Sequence, residues 1–487
     1  MVMAVPEQEF TKWHSIINMK KFIASLELRR SDLFLLLGFL PFAIFLIFGQ
    51  LFMQIQDPLQ VTLPLWAAIL CFVVMVGCWG YYLYLEVYLS KDKYNLYIAG
   101  AFLTLMLINI ITIIAQPSLV HENVRIRYRE DNPELIGTLT EAIIHVSDVH
   151  KFVFIAELVG TISFIYIGLF VFPRRFKSLT FIKYLGYGLF ALLFVMIIYG
   201  YIADFDKYVA FIKHVLNIDR TDPDIYHKTV TSFIIHRNAY GMCMMLGIIF
   251  CFINHAIEKK WFYYLFMGIF YINMIFSLCK TGLLVSIVLI LIYVVYRLIV
   301  TYKENKKRNS ITLIVMGSIF ALAILAFGVS YLSKGKVLSF IYETVNSMSK
   351  GGQTLDFRNY IWDNTYQLLR DGNWLVGRGF GIINLMLQPM NIASHEEKVF
   401  PTHSAYVGLL AEGGILFLLA YLALLVYVGV IAYRCFKKNP GLTLAISSGA
   451  LAFIIYSFIE TIHYLVYIFL FPIMVLYYIS KEEPKAE

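Results

Sequence analysis

Charged and titratable side chains at the edges of long apolar runs are the residues most able to do chemistry here. In "PTHSAYVGLLAEGG", residues 401–414, a histidine heads such a run. Pro401 is tolerated at a helix start and Thr402 is a good N-cap, so His403 is expected in the first helical turn. There the positive end of the helix dipole disfavours the imidazolium and keeps the ring neutral and able to accept a proton. Backbone N–H groups at the same end attract anions. The competing reading is a histidine making a capping contact at the membrane interface. Glu412 falls about 180° around the helix from His403, so it is not expected to orient the ring. Gly413 and Gly414 are read as allowing close helix packing.

Three further places carry cations. "FIIHRNAYG" brings His236 and Arg237 into an apolar run without a polar spacer. "SLCKTG", 277–282, leaves Lys280 as the single charge in a tight turn between two apolar runs. Both fit snorkelling to lipid headgroups or a place facing a cavity. "TLDFRNYIWDNTYQLLRDG" reads as an amphipathic helix stopping at Gly372. Leu355, Ile361, Trp362, Thr365, Tyr366, Leu368 and Leu369 form its mainly apolar sector, and Asp356, Asn359, Asp363, Asn364, Gln367, Arg370 and Asp371 the other. Arg358 falls within the apolar sector, so it either snorkels to phosphate headgroups or points into a cavity toward an anion. "VGRGFG", 376–381, is read as loop geometry, with Arg378 as a phosphate contact or a solvent-exposed residue. One neutral base and several fixed cations suit an anionic lipid substrate: cations hold a phosphate or pyrophosphate leaving group while the base deprotonates an attacking hydroxyl.

The elements that must position these residues follow from composition. Of 487 residues 60% are hydrophobic and 15% charged, with a mean hydropathy of +0.71, which marks an integral membrane protein. Twelve apolar stretches suffice to cross the bilayer, at 33–52, 62–85, 95–115, 152–172, 181–202, 233–255, 261–279, 281–300, 311–332, 404–433, 441–460 and 464–480. The expected fold is an all-α bundle of about twelve transmembrane helices, with a large external loop containing an amphipathic helix between the ninth and tenth. Lysine and arginine collect in one set of short connections, among them "YKENKKRN" at 302–309, which makes that side cytoplasmic. Residues 1–32 and 481–487 are then cytoplasmic, 33–332 holds nine spans, 333–402 is the large external loop and 403–480 holds three spans. The connections 116–151 and 203–232 are the other external surfaces. No removable signal peptide is read at the start.

Several classes drop out. The net charge of +8 resides largely in the basic cytoplasmic loops and needs no nucleic-acid partner. Cys71, Cys78, Cys243, Cys251, Cys279 and Cys435 lie in or beside apolar segments and suggest packing, not disulfides or a metal site. No phosphate-cradling loop or dinucleotide fingerprint occurs, and no cofactor is expected. "DRTDPD", 219–224, is the one acidic cluster resembling a cation site, and it reads more simply as a solvated loop.

The order of an "HRNAYG" segment, an "SLCKTG" hairpin, a large loop with "FRNYIW" and "LVGRGFG", then "HSAYVGLLAEGG" entering a span, resembles the bacterial O-antigen ligase and Wzy polysaccharide polymerase superfamily. The resemblance covers about residues 233–433, and the final block is its most specific part. It implies a metal-independent glycosyltransferase of the cytoplasmic membrane, with both termini cytoplasmic and the active site on the outer face. Its implied partners are an undecaprenyl-pyrophosphate-linked oligosaccharide donor and acceptor, membrane lipids, a chain-length regulator and a flippase. The family's hairpin cation, loop arginine and histidine map onto Lys280, Arg358 and His403. Three departures stand out. The family often has arginine where this chain has Lys280, commonly asparagine where it has Ser404, and a more neutral turn where it has Arg378.

Overall fold

The computed structural model describes residues 30–52, 65–89, 93–125, 138–174, 179–215, 230, 232, 237–277, 279–304, 352–370, 372–387, 402–458, 460 and 466–481. These residues are mostly helical. In chain order the helices are α1 (Arg30–Phe52), α2 (Leu65–Leu83), α3 (Lys93–Ala115), α4 (Asp148–Tyr166), α5 (Thr180–Ala203), α6 (Phe205–Val215), α7 (Arg237–Glu258) and α8 (Phe262–Phe276). They continue as α9 (Lys280–Glu304), α10 (Gly352–Arg370), α11 (Ile382–Leu387), α12 (Ala405–Lys438), α13 (Pro440–Tyr456) and α14 (Phe471–Ser480).

Among the described residues six helices are long and apolar enough to cross a membrane: Trp66–Tyr88, Asn95–Ala115, Asp148–Arg174, Thr180–Ala203, Asn238–Glu258 and Ala405–Lys438. Shorter apolar helices occupy Ser31–Phe42, Phe262–Phe276, Thr281–Tyr296, Pro440–Tyr456 and Phe471–Ser480. The stretch 311–332, expected as the ninth span, lies outside the described residues. An all-α chain also needs correction. Between α3 and α4, β1 (Leu119–Arg125) pairs antiparallel with β2 (Leu139–His145), with Val120 opposite Ile144.

Helix α7 is the centre of the bundle. From Tyr240 to Ile253 its side chains are almost all buried on every side, the signature of a helix surrounded by others. It packs against α5, α8, α9 and α13. A second apolar cluster joins Ile113 of α3, Leu158 of α4, Ile361 and Leu368 of α10, and Ile382 to Leu387 of α11. It fastens the segment 352–387 to the bundle.

Helix α10 confirms the amphipathic pattern with two exceptions. Ile361, Thr365, Leu368 and Leu369 are buried and Asp363 and Arg370 exposed, as the pattern requires. Asn364, read as a solvent-side residue, is fully buried because its amide pins β1: Arg125 N donates to its Oδ1 (3.0 Å) and its Nδ2 donates to Arg125 O (3.2 Å). Tyr366, read as part of the apolar sector, is exposed.

Candidate active site at four converging helix ends

The start of α12 differs from expectation. Ser404, not Thr402, is the N-cap, its Oγ accepting from Val407 N at 3.5 Å. Serine is among the preferred N-cap residues, because its short hydroxyl reaches a free N–H of the first turn. His403 therefore lies outside the helix, with backbone in the left-handed region (φ 47°), a conformation that histidine adopts more readily than branched residues. His403 is thus not in the first turn, as expected, but immediately before the N-cap, still beside the positive end of the helix. What faces it is an acid. Glu460 Oε2 lies 3.6 Å from His403 Nδ1, and both side chains are largely buried.

Glu460 was not singled out in the sequence, and it connects the cationic segments. Its Oε1 accepts from Asn238 Nδ2 at 2.8 Å, in the first turn of α7 next to Arg237. Asn238 O in turn lies 4.0 Å from Cys279 Sγ, and that sulfur is 3.1 Å from Tyr456 Oη at the end of α13. Close approach of the 277–282 turn to α7 depends on Gly241, because a Cβ there would occupy the space of the Cys279 side chain. On the other flank Ala405 N donates to Ser457 O (2.8 Å), and Tyr406 Oη to Ile454 O (3.1 Å), fixing the start of α12 to the end of α13. The N-terminal ends of α7, α9 and α12 and the C-terminal end of α13 therefore meet on one side of the bundle.

The electrostatics of that meeting point favour an anion. Arg237 and Lys280 are the first residues of α7 and α9, and neither helix has an acid in its first turn. A cation at a helix N-terminus opposes the macrodipole by about 0.3–1 kcal/mol, whereas an anion between two such ends is stabilised by both. Arg237 and Lys280 are described by their backbones alone, and His236 lies outside the described residues.

Arg358, likewise described by its backbone, belongs to the same neighbourhood by register. Position 358 shares a face of α10 with Ile361, Trp362, Thr365 and Leu369. One turn further on, Trp362 Nε1 donates to Thr402 O at 3.0 Å, directly before His403. Arg378 goes elsewhere. Its Nε donates to Leu368 O at 2.8 Å, holding the last turn of α10, and its backbone lies beside Ala411, well along α12.

The glycine-rich segment is structural. At Gly414 (φ 67°, ψ −164°) helix α12 breaks, and a Cβ would collide with the Leu375 carbonyl. The groups freed by the break pair with the incoming loop: Arg378 N to Ala411 O (2.8 Å), Gly379 N to Glu412 O (2.9 Å) and Ile415 N to Trp374 O (2.9 Å). Phe380 N donates to Asn109 Oδ1 (2.9 Å) and Gly381 N to Glu412 Oε1 (3.3 Å). These N–H groups are committed to protein acceptors, so the loop is no phosphate cradle. Gly414 serves this close approach of a loop and not helix packing. The break also reconciles lengths. Helix α12 is 34 residues, about 51 Å of path, whereas α13 reaches the same His403–Glu460 contact in 17 residues, about 25 Å. A straight 34-residue helix is too long for that closure, so α12 must bend, and Gly414 is where its helical backbone is interrupted.

Loss of the Glu460 carboxylate tests the hub. If the hub transfers protons, Glu460→Gln, which keeps the contact with Asn238 and removes the charge facing His403, should lower turnover by about two orders of magnitude with little change in substrate KM. Unchanged turnover at matched amounts of folded protein would reduce Glu460 to a packing residue.

Residues 265–422 match the family model described as O-Antigen ligase (Wzy_C). No curated protein matches the chain. The matched region carries the 277–282 turn, helix α10 and the His403 segment, and it supports the O-antigen ligase and Wzy superfamily as the chain's relatives.

Proposed function

With residues 265–422 as an O-antigen ligase domain in a membrane protein, we propose that the chain polymerises lipid-pyrophosphate-linked oligosaccharide repeat units of a surface polysaccharide at the outer face of the cytoplasmic membrane. The single observation that carries the chemistry is the His403–Glu460 contact beside two cation-headed helix ends. His403 takes the proton from an acceptor sugar hydroxyl. The hydroxyl oxygen attacks the anomeric carbon of the donor glycan, forming the new glycosidic bond as the bond to pyrophosphate breaks. Direct displacement of this kind inverts the anomeric configuration. Glu460 stabilises the imidazolium that forms, as a buried carboxylate does for a catalytic histidine. Arg358, Lys280 and Arg237 neutralise the undecaprenyl pyrophosphate that leaves, with His236 as a weaker contact. Arg378 is better placed to hold α10 than to touch substrate.

Transfer of a finished glycan to a different acceptor would use the same groups, and the family description supports this ligase reading equally. A flippase for the same lipid would need its cations reachable from both sides of the membrane, whereas these helix ends gather on one side. Purified protein incubated with defined undecaprenyl-pyrophosphate repeat units should yield a ladder of products. A single addition to a different acceptor, with no ladder, would select the ligase reading.

The cations at the site are proposed to do the work a divalent metal does in other glycosyltransferases. Activity should therefore survive EDTA. A strict requirement restored by magnesium or manganese would move attention to Asp222 and Asp224, which lie outside the described residues.

A further inference from the structure

Helix α12 carries a stripe of exposed apolar side chains, Ile415, Leu419, Leu422, Val426, Val430 and Tyr433, at the three- or four-residue spacing of one face. Eighteen residues separate its ends, about 27 Å, which matches the roughly 30 Å of bilayer hydrocarbon. That length and composition suit a face in contact with lipid. At its lower end Tyr433 sits with Lys437 Nζ 4.7 Å from its ring centroid, the aromatic and basic pairing of a membrane boundary.

At its upper end the stripe continues onto another part of the chain. The hydrogen bonds from Ile415 N to Trp374 O and from Leu416 N to Leu375 O lay Trp374 and Leu375 on top of it. Both are exposed, at 39% and 54%, and the Trp374 ring lies nearly parallel to exposed Tyr366 of α10 (centroids 6.4 Å, 14°). Around these rings the exposed neighbours become polar: Asp363, Arg370 and Asn373. Apolar surface thus gives way to polar surface at this end of the stripe.

We infer that Tyr366, Trp374 and Leu375 insert into the phospholipid headgroup boundary on the His403 side of the bilayer and dock helix α10 onto the lipid surface. Tyr and Trp rings are apolar in body and polar at the tip, which suits that boundary and neither side of it. The consequence for catalysis rests on the proposed function, while the docking does not. Because α10 is tied at Trp362 to the residue before His403, an anchor at its far end holds the arginine-bearing helix at the depth of a lipid-borne pyrophosphate.

The test uses full-length protein in phosphatidylcholine–phosphatidylglycerol liposomes and compares wild type with Trp374→Phe. The other tryptophans cancel in the difference emission. That difference should lose most of its intensity in liposomes made with phospholipid brominated near the headgroup end of the acyl chain, and should resist aqueous iodide. Difference emission untouched by brominated lipid and quenched by iodide would overturn the docking. If Trp374→Phe folds poorly, Leu375→Trp in the otherwise wild-type chain adds a reporter one residue on, and its difference emission from wild type should give the same result. Shielding from iodide by a soluble oligosaccharide in detergent, with no bromolipid quenching, would reassign the rings to sugar binding and also overturn it. Activity enters none of these readouts, so failure of the anchor and failure of the glycosyltransferase reading remain separable.

Discussion

Replacing His403 by alanine should abolish product ladders from lipid-linked repeat units while the protein still inserts in the membrane. General bases contribute about 10²–10⁴-fold, and here no other imidazole among the described residues lies beside the converging helix ends. Alanine carries a complication, because the left-handed backbone at His403 costs it about 1 kcal/mol or more. His403→Asn removes that ambiguity. Asparagine adopts the left-handed region readily, so it preserves the entry into α12 with Ser404 as cap, yet it has no group able to accept the proton. Both variants should be equally inactive at matched amounts of folded protein. Activity near wild type in His403→Asn would remove the histidine from the chemistry and leave it as the residue that shapes the turn before α12.

Much of the bundle was legible because crossing hydrocarbon imposes a length and a composition that any reader of the sequence can count. Within the site, legibility depended on whether the relevant partner was near in sequence. Arg237, Lys280 and His403 announce themselves by ending apolar runs, and the structure does bring their segments to one side of the bundle. Glu460 carried the same signal, a carboxylate closing the run 441–460, and the rule that flagged the cations applied to it equally. The cap of α12 was misassigned because Thr402 and Ser404 are both good caps, and the choice is made by Ala405 N bonding to Ser457 O across the bundle. Asn364 looked solvent-facing because polarity was read as exposure. Its burial is compensated by a strand end 239 residues away. That strand itself was missed: "LVHENVR" and "LTEAIIH" alternate weakly and are joined by a long connection without the two-residue turn that signals a hairpin. Gly414 is a similar case, since its left-handed backbone answers a loop some forty residues upstream.

Arginine at position 358 makes the sharpest remaining claim, because two readings give opposite outcomes for one conservative change. The register places position 358 one turn before Trp362, whose indole bonds the backbone that leads into His403. If the guanidinium clamps pyrophosphate, Arg358→Lys keeps the charge but loses the planar two-pronged donor. Activity should then fall about tenfold, and Arg358→Ala about 10²-fold or more, with the losses in donor-dependent rate. If the side chain instead reaches to lipid headgroups, lysine serves as well as arginine, and Arg358→Lys is close to silent in rate and in donor affinity. The lipid anchor inferred for Tyr366 and Trp374 makes the comparison cleaner, since it supplies membrane attachment at the other end of the same helix. Under that arrangement α10 does not need Arg358 to stay at the bilayer surface, and Arg358→Ala should leave liposome docking intact while transfer is lost. Donor-dependent rates for wild type and both variants, measured alongside bromolipid quenching of Trp374, separate the two roles. Wild-type kinetics in Arg358→Lys would make the clamp untenable and return Arg358 to the membrane surface.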